Sequence, residues 1–347
     1  MGRCQGRYCI PPTIKFLEKR NLTTNGDGLF APQIPARPIS ARSIWQEKPE
    51  WKGHRETSLP TRPHNLSSEP LSKTSADVVV IGGGVTGVSA SYFAAKAGAS
   101  VICIEKGHVN SEASGGNAGS LHLQLLSWDF GSKAIGDGQL QLSTLPLQKE
   151  SISLWGNLEG EFMTDCEMEF TGGLMVAENS EQIKFLEKKI KAEARVGIKT
   201  SLIEKEQIAE IVPEISKTVV AVSWCEQEGK ITRLIATPIL AKEAKLQGAV
   251  IEELTQVVGL AKEDAGYEII TNRGRIKAKK LIIAAGGWSS KLFEMLNIDI
   301  PIKGAPLQMI VTSPAPKIVN CLMYHAGRHL TLKQVKKRIF LLDSLVL

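Results

Sequence analysis

Residues 76–107 constrain this chain more than any other stretch. ADVVVIGGG is a short β-branched apolar run that ends in glycines, the texture of a parallel strand buried on both faces. VTGVSASYFAAKAG follows as an Ala-rich helix stopped by Gly98, and ASVICIEKG reads as a second strand. Strand, glycine turn, helix and strand make one βαβ unit, which demands a parallel sheet with a helical crossover. Gly82, Gly84 and Gly87 fall on the pattern G-x-G-x-x-G, and Glu105 closes the second strand 18 residues after Gly87. Each position has a physical reason. Gly82 permits the tight turn, Gly84 lets a pyrophosphate approach the backbone, and Gly87 lets helix and strand pack closely. The helix start offers N–H groups and a partial positive charge to phosphate. Glu105 can accept hydrogen bonds from ribose hydroxyls. The fingerprint alone does not choose between NAD and FAD.

The rest of the chain falls into two regimes. Residues 1–76 hold 12 Lys+Arg against 6 Asp+Glu and nine of the 16 prolines, whereas residues 77–347 carry 30 of each charge. The net +6 therefore belongs to a Pro-rich segment and not to a folded basic face, which argues against nucleic-acid binding. Residues 21–75 read as an extended, disordered linker in which Trp45 and Trp51 are the candidate contacts with a partner. No apolar run is long enough to span a bilayer, and the N-terminus lacks the apolar core of a signal peptide. With six cysteines and no disulfide-like spacing, the chain is expected to be cytoplasmic. Further along, 181–197, 201–213 and 231–248 read as helices, with Pro238 placing a kink or late start in the third. Residues 249–288 read as strands: 249–260, a hairpin-like pair around Gly266 and Gly274, and a buried run Leu281–Ala285.

Several of these segments occur in the order of one family. ADVVVIGGGVTGVSASYFAAKAGASVICIEKG, then ASGGNAGSLH, GGLMVAENSEQIKFLEK, EGKITRLIATPILAKEAKLQGA, TQVVGL and LIIAAGGWSSKL resemble the FAD-dependent D-amino-acid-oxidase-type family. That family includes glycine and sarcosine oxidases and the β-type subunits of opine oxidase, hydroxyproline dehydrogenase and hydrogen cyanide synthase. The resemblance runs from about Asp77 to Val335 and favours FAD over NAD. It implies an α/β fold: a Rossmann-like FAD-binding βαβ domain interleaved with an antiparallel-sheet substrate domain, incomplete at the C-terminus. The implied boundaries are 76–165 and 228–300 for the FAD-binding parts, and 166–227 and 301–347 for the substrate parts.

The resemblance also implies site residues. Gly82, Gly84, Val85, Thr86 and Gly87 hold the pyrophosphate; Glu105, with Lys106 beside it, binds ribose. Ser114, Asn117, Ala118, Gly119 and Ser120 line the path toward the flavin, Val257 meets adenine through its backbone, and Ala285 and Gly286 pass close to the cofactor. His122 is the candidate facing the isoalloxazine. Arg328 and Lys333 fall on the substrate sheet, where a cation holds a substrate carboxylate. The implied reaction is hydride transfer from the carbon bearing the nitrogen of a small amino or imino acid to flavin.

Both ends depart from the pattern. GRCQGRYC resembles the second half of a four-cysteine [2Fe-2S] motif of the bacterioferritin-associated-ferredoxin type. Cys4 and Cys9 alone cannot hold a cluster that takes four ligands, so such a cluster is expected only in an intact complex with an α-type subunit. After Val335 the family pattern continues into a Gly-Gly-Gly-Trp turn, which KKRIFLLDSLVL lacks. Two alternatives stay open on the sequence: a truncated, non-catalytic subunit or gene remnant, and an NAD-dependent reductase.

Overall fold

A computed structural model describes residues 64–162, 164–302, 309–336 and 339–343. Cys4, Cys9, Trp45 and Trp51 lie outside the described residues, as does most of the Pro-rich segment.

The βαβ unit forms as its sequence dictates. Strand β1 (Ser75–Ile81) lies parallel to β2 (Val101–Ile104), and helix α1 (Val85–Lys96) crosses over between them. Alternate side chains of β1 enter two different cores. Val78 and Val80 pack with Val88, Tyr92 and Ala95 of α1, while Val79 and Ile81 pack on the opposite face. Full burial of each such side chain stabilises by about 1.5–3 kcal/mol. The first core is closed by α3 (Gln139–Phe162) and α6 (Arg233–Leu246) through Leu158, Phe162, Leu240 and Ala244. Pro238 sits inside α6 without ending it.

Strands β8 (Val250–Glu252), β9 (Val257–Glu263), β10 (Gly266–Thr271) and β11 (Gly274–Ile283) complete a six-stranded sheet of order β8-β2-β1-β11-β10-β9. The β8, β2, β1 and β11 neighbours are parallel, and the β9–β10–β11 wing is antiparallel. Val257, Leu260, Ile269 and Ile276 of the wing share a core with Ile81 and Ile104, so the second face of the parallel strands is covered by the antiparallel wing together with Leu292. The run Leu281–Ala285 differs from expectation: Ile282 is exposed and its neighbours are half-buried.

The second sheet has seven strands in the order β12-β15-β14-β13-β4-β6-β5. They are β4 (Gly173–Ala177), β5 (Ser201–Glu204), β6 (Ala221–Cys225), β12 (Met309–Val311), β13 (Leu322–His325), β14 (Thr331–Gln334) and β15 (Phe340–Asp343). All pairings are antiparallel except β13 with β4. The expected helix over 201–213 divides into β5 and a shorter helix α5 (Lys205–Ile211), α4 (Ser180–Arg195) lying before it. Pairing with β6 overrides the helical texture of Ser-Leu-Ile-Glu.

A two-stranded ribbon, β3 (Ser120–Leu121) with β7 (Gly229–Lys230), joins the glycine-rich loop to the segment entering α6. The short helices α2 (Ala113–Gly116) and α7 (Ser289–Glu294) flank the two glycine turns. The interleaved α/β architecture expected from the sequence is present.

The Pro-rich segment ends differently from the sequence reading. Residues 64–74 dock on the six-stranded sheet: Ser67 N donates to Leu254 O at 2.9 Å, and Thr74 O accepts from Lys277 N at 2.9 Å. Arg273 fastens this strap, donating to Glu69 O at 2.6 Å, Pro70 O at 2.7 Å and Glu252 Oε2 at 2.6 Å.

Candidate functional site

The first site element is the turn between β1 and α1. Gly82 has φ +117°, and a Cβ there would lie 2.3 Å from Ala284 O. A Cβ on Gly87 would lie 1.9 Å from Gly82 O. Both glycines are therefore required by backbone packing alone. Gly84 is different: a Cβ would meet only the Ser114 side chain, at 3.0 Å. Gly84 is the N-cap of α1 and supplies no side-chain cap. Val85 N donates to Ser114 Oγ at 2.9 Å, while the N–H groups of Thr86 and Gly87 have no acceptor among the described residues. Open helix-start donors beside a side-chain-free Gly84 fit a diphosphate.

Glu105 leaves β2 directly beneath this turn. Its Oε2 accepts from Gly83 N at 2.6 Å and its Oε1 from Gly107 N at 2.7 Å, which fixes the carboxylate while leaving further lone pairs. Lys106 is half-buried beside it. The turn after β11 arrives at the same place, since Ala284 N donates to Ile81 O at 2.8 Å. Ala285 follows, and Gly286, at φ +56°, has open space where a Cβ would stand. Val257 begins the outer strand of the wing with its side chain buried. The open backbone at Gly84 and Gly286 is a cradle that side chains would fill, and it fits a dinucleotide cofactor.

The loop expected to lead toward the flavin is held by its own bonds. Asn117 Oδ1 accepts from Gly119 N at 2.6 Å, and its Nδ2 donates to Ser114 O at 2.7 Å. Gly119, at φ +69°, packs its Cα against Ile231 O, and Ile231 N donates back to Gly119 O at 2.8 Å. Ala118 is half-buried, and Ser120 opens β3 opposite Lys230.

Beyond β3 the chain enters a buried polar cluster. His122 Nδ1 lies 2.8 Å from the Tyr324 hydroxyl on β13. Burial, and then the charge of Lys333, hold the imidazole down at about 4. Glu228 is fully buried; its Oε1 accepts from Leu123 N at 2.7 Å and Gln124 N at 2.8 Å. Its Oε2 accepts from Gln124 Nε2 at 3.0 Å, and burial pushes its acidity down, raising the pKa. Behind Gln124 lies the buried pair Lys189–Glu193, 2.8 Å apart one turn along α4. Lys230 donates to Gln334 O at 2.9 Å and Asn320 O at 3.2 Å and pairs with Glu169 at 3.0 Å. Lys333, on β14, is buried, and its Nζ has no hydrogen-bond partner among the described residues.

The two cation candidates of the sheet thus separate. Lys333 joins His122 and Tyr324. Arg328 does not: it is 44% exposed and pairs with Glu178 Oε2 at 3.0 Å, alongside His325. Tyr324, Glu228 and Lys230 were not singled out from the sequence. Nothing local distinguishes them from ordinary strand and turn residues, because their side-chain partners are more than 60 positions away. Among the described residues, no group of three or more His, Cys, Asp or Glu is placed to hold a metal. No helix among them is long and apolar enough to cross a membrane.

Comparison with known proteins decides the family. The family model described as FAD dependent oxidoreductase matches residues 77–337. The chain belongs to that family. This membership sets aside the NAD-dependent alternative and makes FAD the cofactor. Among curated proteins, the chain is 26% identical over 263 residues to the sarcosine oxidase subunit beta of an Arthrobacter species, spanning 73% of this chain and 62% of that relative's length. Among solved structures, the glycine oxidase from Geobacillus kaustophilus aligns with a TM-score of 0.68 at 19% identity, covering 79% of this chain and 73% of that one. The L-proline dehydrogenase from P. horikoshii aligns with a TM-score of 0.65 at 26% identity, covering 78% and 69%.

Proposed function

We propose that this chain oxidises the C–N bond of a small amino or imino acid, as one subunit of a hetero-oligomeric flavin dehydrogenase. In this reading residues 76–165 and 228–300 hold the cofactor, and 166–227 and 301–347 form the substrate side. The observation that carries it is the segment 114–122, whose Ser114 meets Val85 N at the open start of α1 and whose His122 meets Tyr324 in the buried polar cluster. The sarcosine, glycine and proline enzymes among its relatives and neighbours support the substrate class. The subunit role is supported by the relative named as a subunit beta. A [2Fe-2S] cluster, if the complex holds one, takes ligands beyond Cys4 and Cys9 from another chain.

FAD supplies a hydride acceptor for the carbon bearing the nitrogen. The chain's own residues bind and orient. The first turn of α1 holds phosphate and Glu105 holds ribose hydroxyls. His122 is uncharged at neutral pH and its ring is oriented by Tyr324, so it presents a proton acceptor rather than a second cation. The test is anaerobic. Full chain saturated with FAD is mixed with sarcosine, glycine, proline and D-amino acids in turn. Bleaching of the visible flavin band by one of them is expected. Bound FAD that none of them reduces would overturn the substrate class, and failure to bind FAD would overturn the reading as a whole.

A further inference from the structure

Leu254 holds a left-handed backbone, φ +51°, which a branched side chain adopts only where its surroundings enforce it. Two bonds do so. Leu254 N donates to Gly107 O at 2.9 Å on one side, and Leu254 O accepts from Ser67 N at 2.9 Å on the other. The first partner belongs to the Glu105 end of the cofactor cradle, the second to the strap 64–74. The residues around Leu254 repeat the arrangement. Toward the cradle, Glu105 N donates to Glu252 O and Thr255 N to Glu105 O, each at 2.9 Å, and Val109 N donates to Glu253 Oε1 at 2.6 Å. Toward the strap, Glu252 Oε1 accepts from Ser72 N at 2.9 Å, and Arg273 ties Glu252 Oε2 and Thr255 Oγ1 to the carbonyls of Glu69 and Pro70. Asn272 makes a further bridge: its Nδ2 donates to Ser67 O at 2.8 Å, and its Oδ1 accepts at 2.7 Å from N of Gln256, the residue before Val257. The strap also reaches the cradle directly. Gly107, whose N–H donates to the Glu105 carboxylate, is buried, and a Cβ there would lie 2.6 Å from His64 Cε1.

We propose that the strap positions the adenosine end of the FAD site, so that strap docking and cofactor binding are coupled. The proposal rests on the reading above that places ribose at Glu105. Ser67, Ser72, Asn272 and Arg273 are positioning residues: they act on segment 252–257, and through it on Glu105 and the Val257 backbone. The pairing of the sheet does not need them, since β8 holds to β2 and β9 to β10 through their own ladders. The segment between those two strands does. Without the Ser67 bond, the backbone of Leu254 is free to leave the left-handed region, and Gly107 and Glu105 lose partners with a fixed place. The coupling is reciprocal: whatever factor the docked strap adds to FAD affinity, bound FAD adds to strap docking.

The test begins with the unaltered full chain. Leu71 of the strap packs in the apolar core, so chymotryptic cleavage after Leu71 reports an undocked strap. Cleavage after Leu147, on the exposed side of α3, is the internal reference. Saturating FAD is expected to slow cleavage after Leu71 by at least about threefold more than cleavage after Leu147, the worth of one hydrogen bond. Equal slowing at both places overturns the coupling, whatever the variants do. Asn272→Asp keeps the acceptor for Gln256 N and loses the donor to Ser67 O. At about 0.3 M salt, where its added charge is screened, it should weaken FAD binding by at least about threefold, read by flavin fluorescence quenching. Unchanged affinity overturns the proposal. Leu254→Gly supplies the route: glycine rests in the left-handed region unaided, so in that background Asn272→Asp should weaken FAD by less than about twofold. An undiminished loss overturns the action through Leu254. A chain that binds no FAD at all overturns the flavin reading itself, whereas bound FAD with equal slowing overturns the coupling alone.

Discussion

His122 Nδ1 and the Tyr324 hydroxyl lie 2.8 Å apart although 202 residues separate them in the chain. This one bond ties the segment leaving the cofactor loop to β13 of the seven-stranded sheet. Burial of the ring, and then the charge of Lys333, account for the low basicity of His122.

Acid stability should report that environment. The folded-state value of His122 is about 4, against an ordinary 6.5. Protonation therefore favours the unfolded chain. The stability tied to the neutral ring is intact above the unfolded value and is lost as pH falls from there through about 4. At ~1.4 kcal/mol per unit the loss reaches at most about 3 kcal/mol. His122→Gln should flatten this part of the curve. Urea unfolding of both proteins at several pH values between neutral and acid is the check. Parallel curves would show that His122 is protonated as easily in the fold as outside it.

The glycines of the β1–α1 turn should separate folding from cofactor binding. Gly87→Ala places a methyl 1.9 Å from a backbone carbonyl and should lower stability by about 2–4 kcal/mol or prevent folding. Gly84→Ala meets only the Ser114 side chain, and its φ of −77° is allowed for alanine. That variant should fold within about 1 kcal/mol of wild type and lose at least about tenfold in FAD affinity, because the methyl occupies the phosphate approach. Thermal unfolding and flavin fluorescence titration read the two effects independently.

How much of this was legible in the sequence follows from range. The βαβ unit could be read because its determinants are local: β-branched run, glycine spacing and helix stop lie within about 30 residues. Glu105 and the glycine turns fell where the fingerprint put them. The segment at 201–204 was misread because pairing with β6, some 20 residues on, decides its state rather than its own texture. Lys230, Glu228 and Tyr324 gave no signal, since each acquires its partners from segments elsewhere in the chain. The docking of 64–74 was hidden for the same reason: proline content speaks to local backbone freedom and says nothing about Arg273, about 200 positions away.

That strap should be a separately measurable unit. Arg273 and Glu252 are both only 7% exposed, and their ion pair sits under Glu69, Pro70 and Ser72. Removing one member leaves the other buried and unpaired. Arg273→Met should cost about 2–4 kcal/mol and expose 64–74 to protease, while Arg273→Lys keeps the charge and loses the fork of hydrogen bonds. Limited proteolysis with mass-spectrometric mapping is the readout. Cleavage no faster in Arg273→Met than in wild type would show that the strap is held by other contacts, such as Leu71 in the apolar core.

Lys333→Met should make the protein more stable. The lysine is buried with no hydrogen-bond partner among the described residues, and an unsatisfied buried donor costs about 1–3 kcal/mol. Methionine has a similar length and no proton to satisfy. The pH dependence carries a definite sign. Because the folded value lies well below the ordinary one, the unfolded chain takes up the proton more readily, so wild-type stability is lost as pH falls from the ordinary lysine range through the folded value. The gap between Lys333→Met and wild type should therefore be smallest in strong base and widen toward neutral pH. A rise of a few degrees in Tm at neutral pH is expected. A variant less stable than wild type at every pH would mean that Lys333 already has its counter-charge in the folded chain.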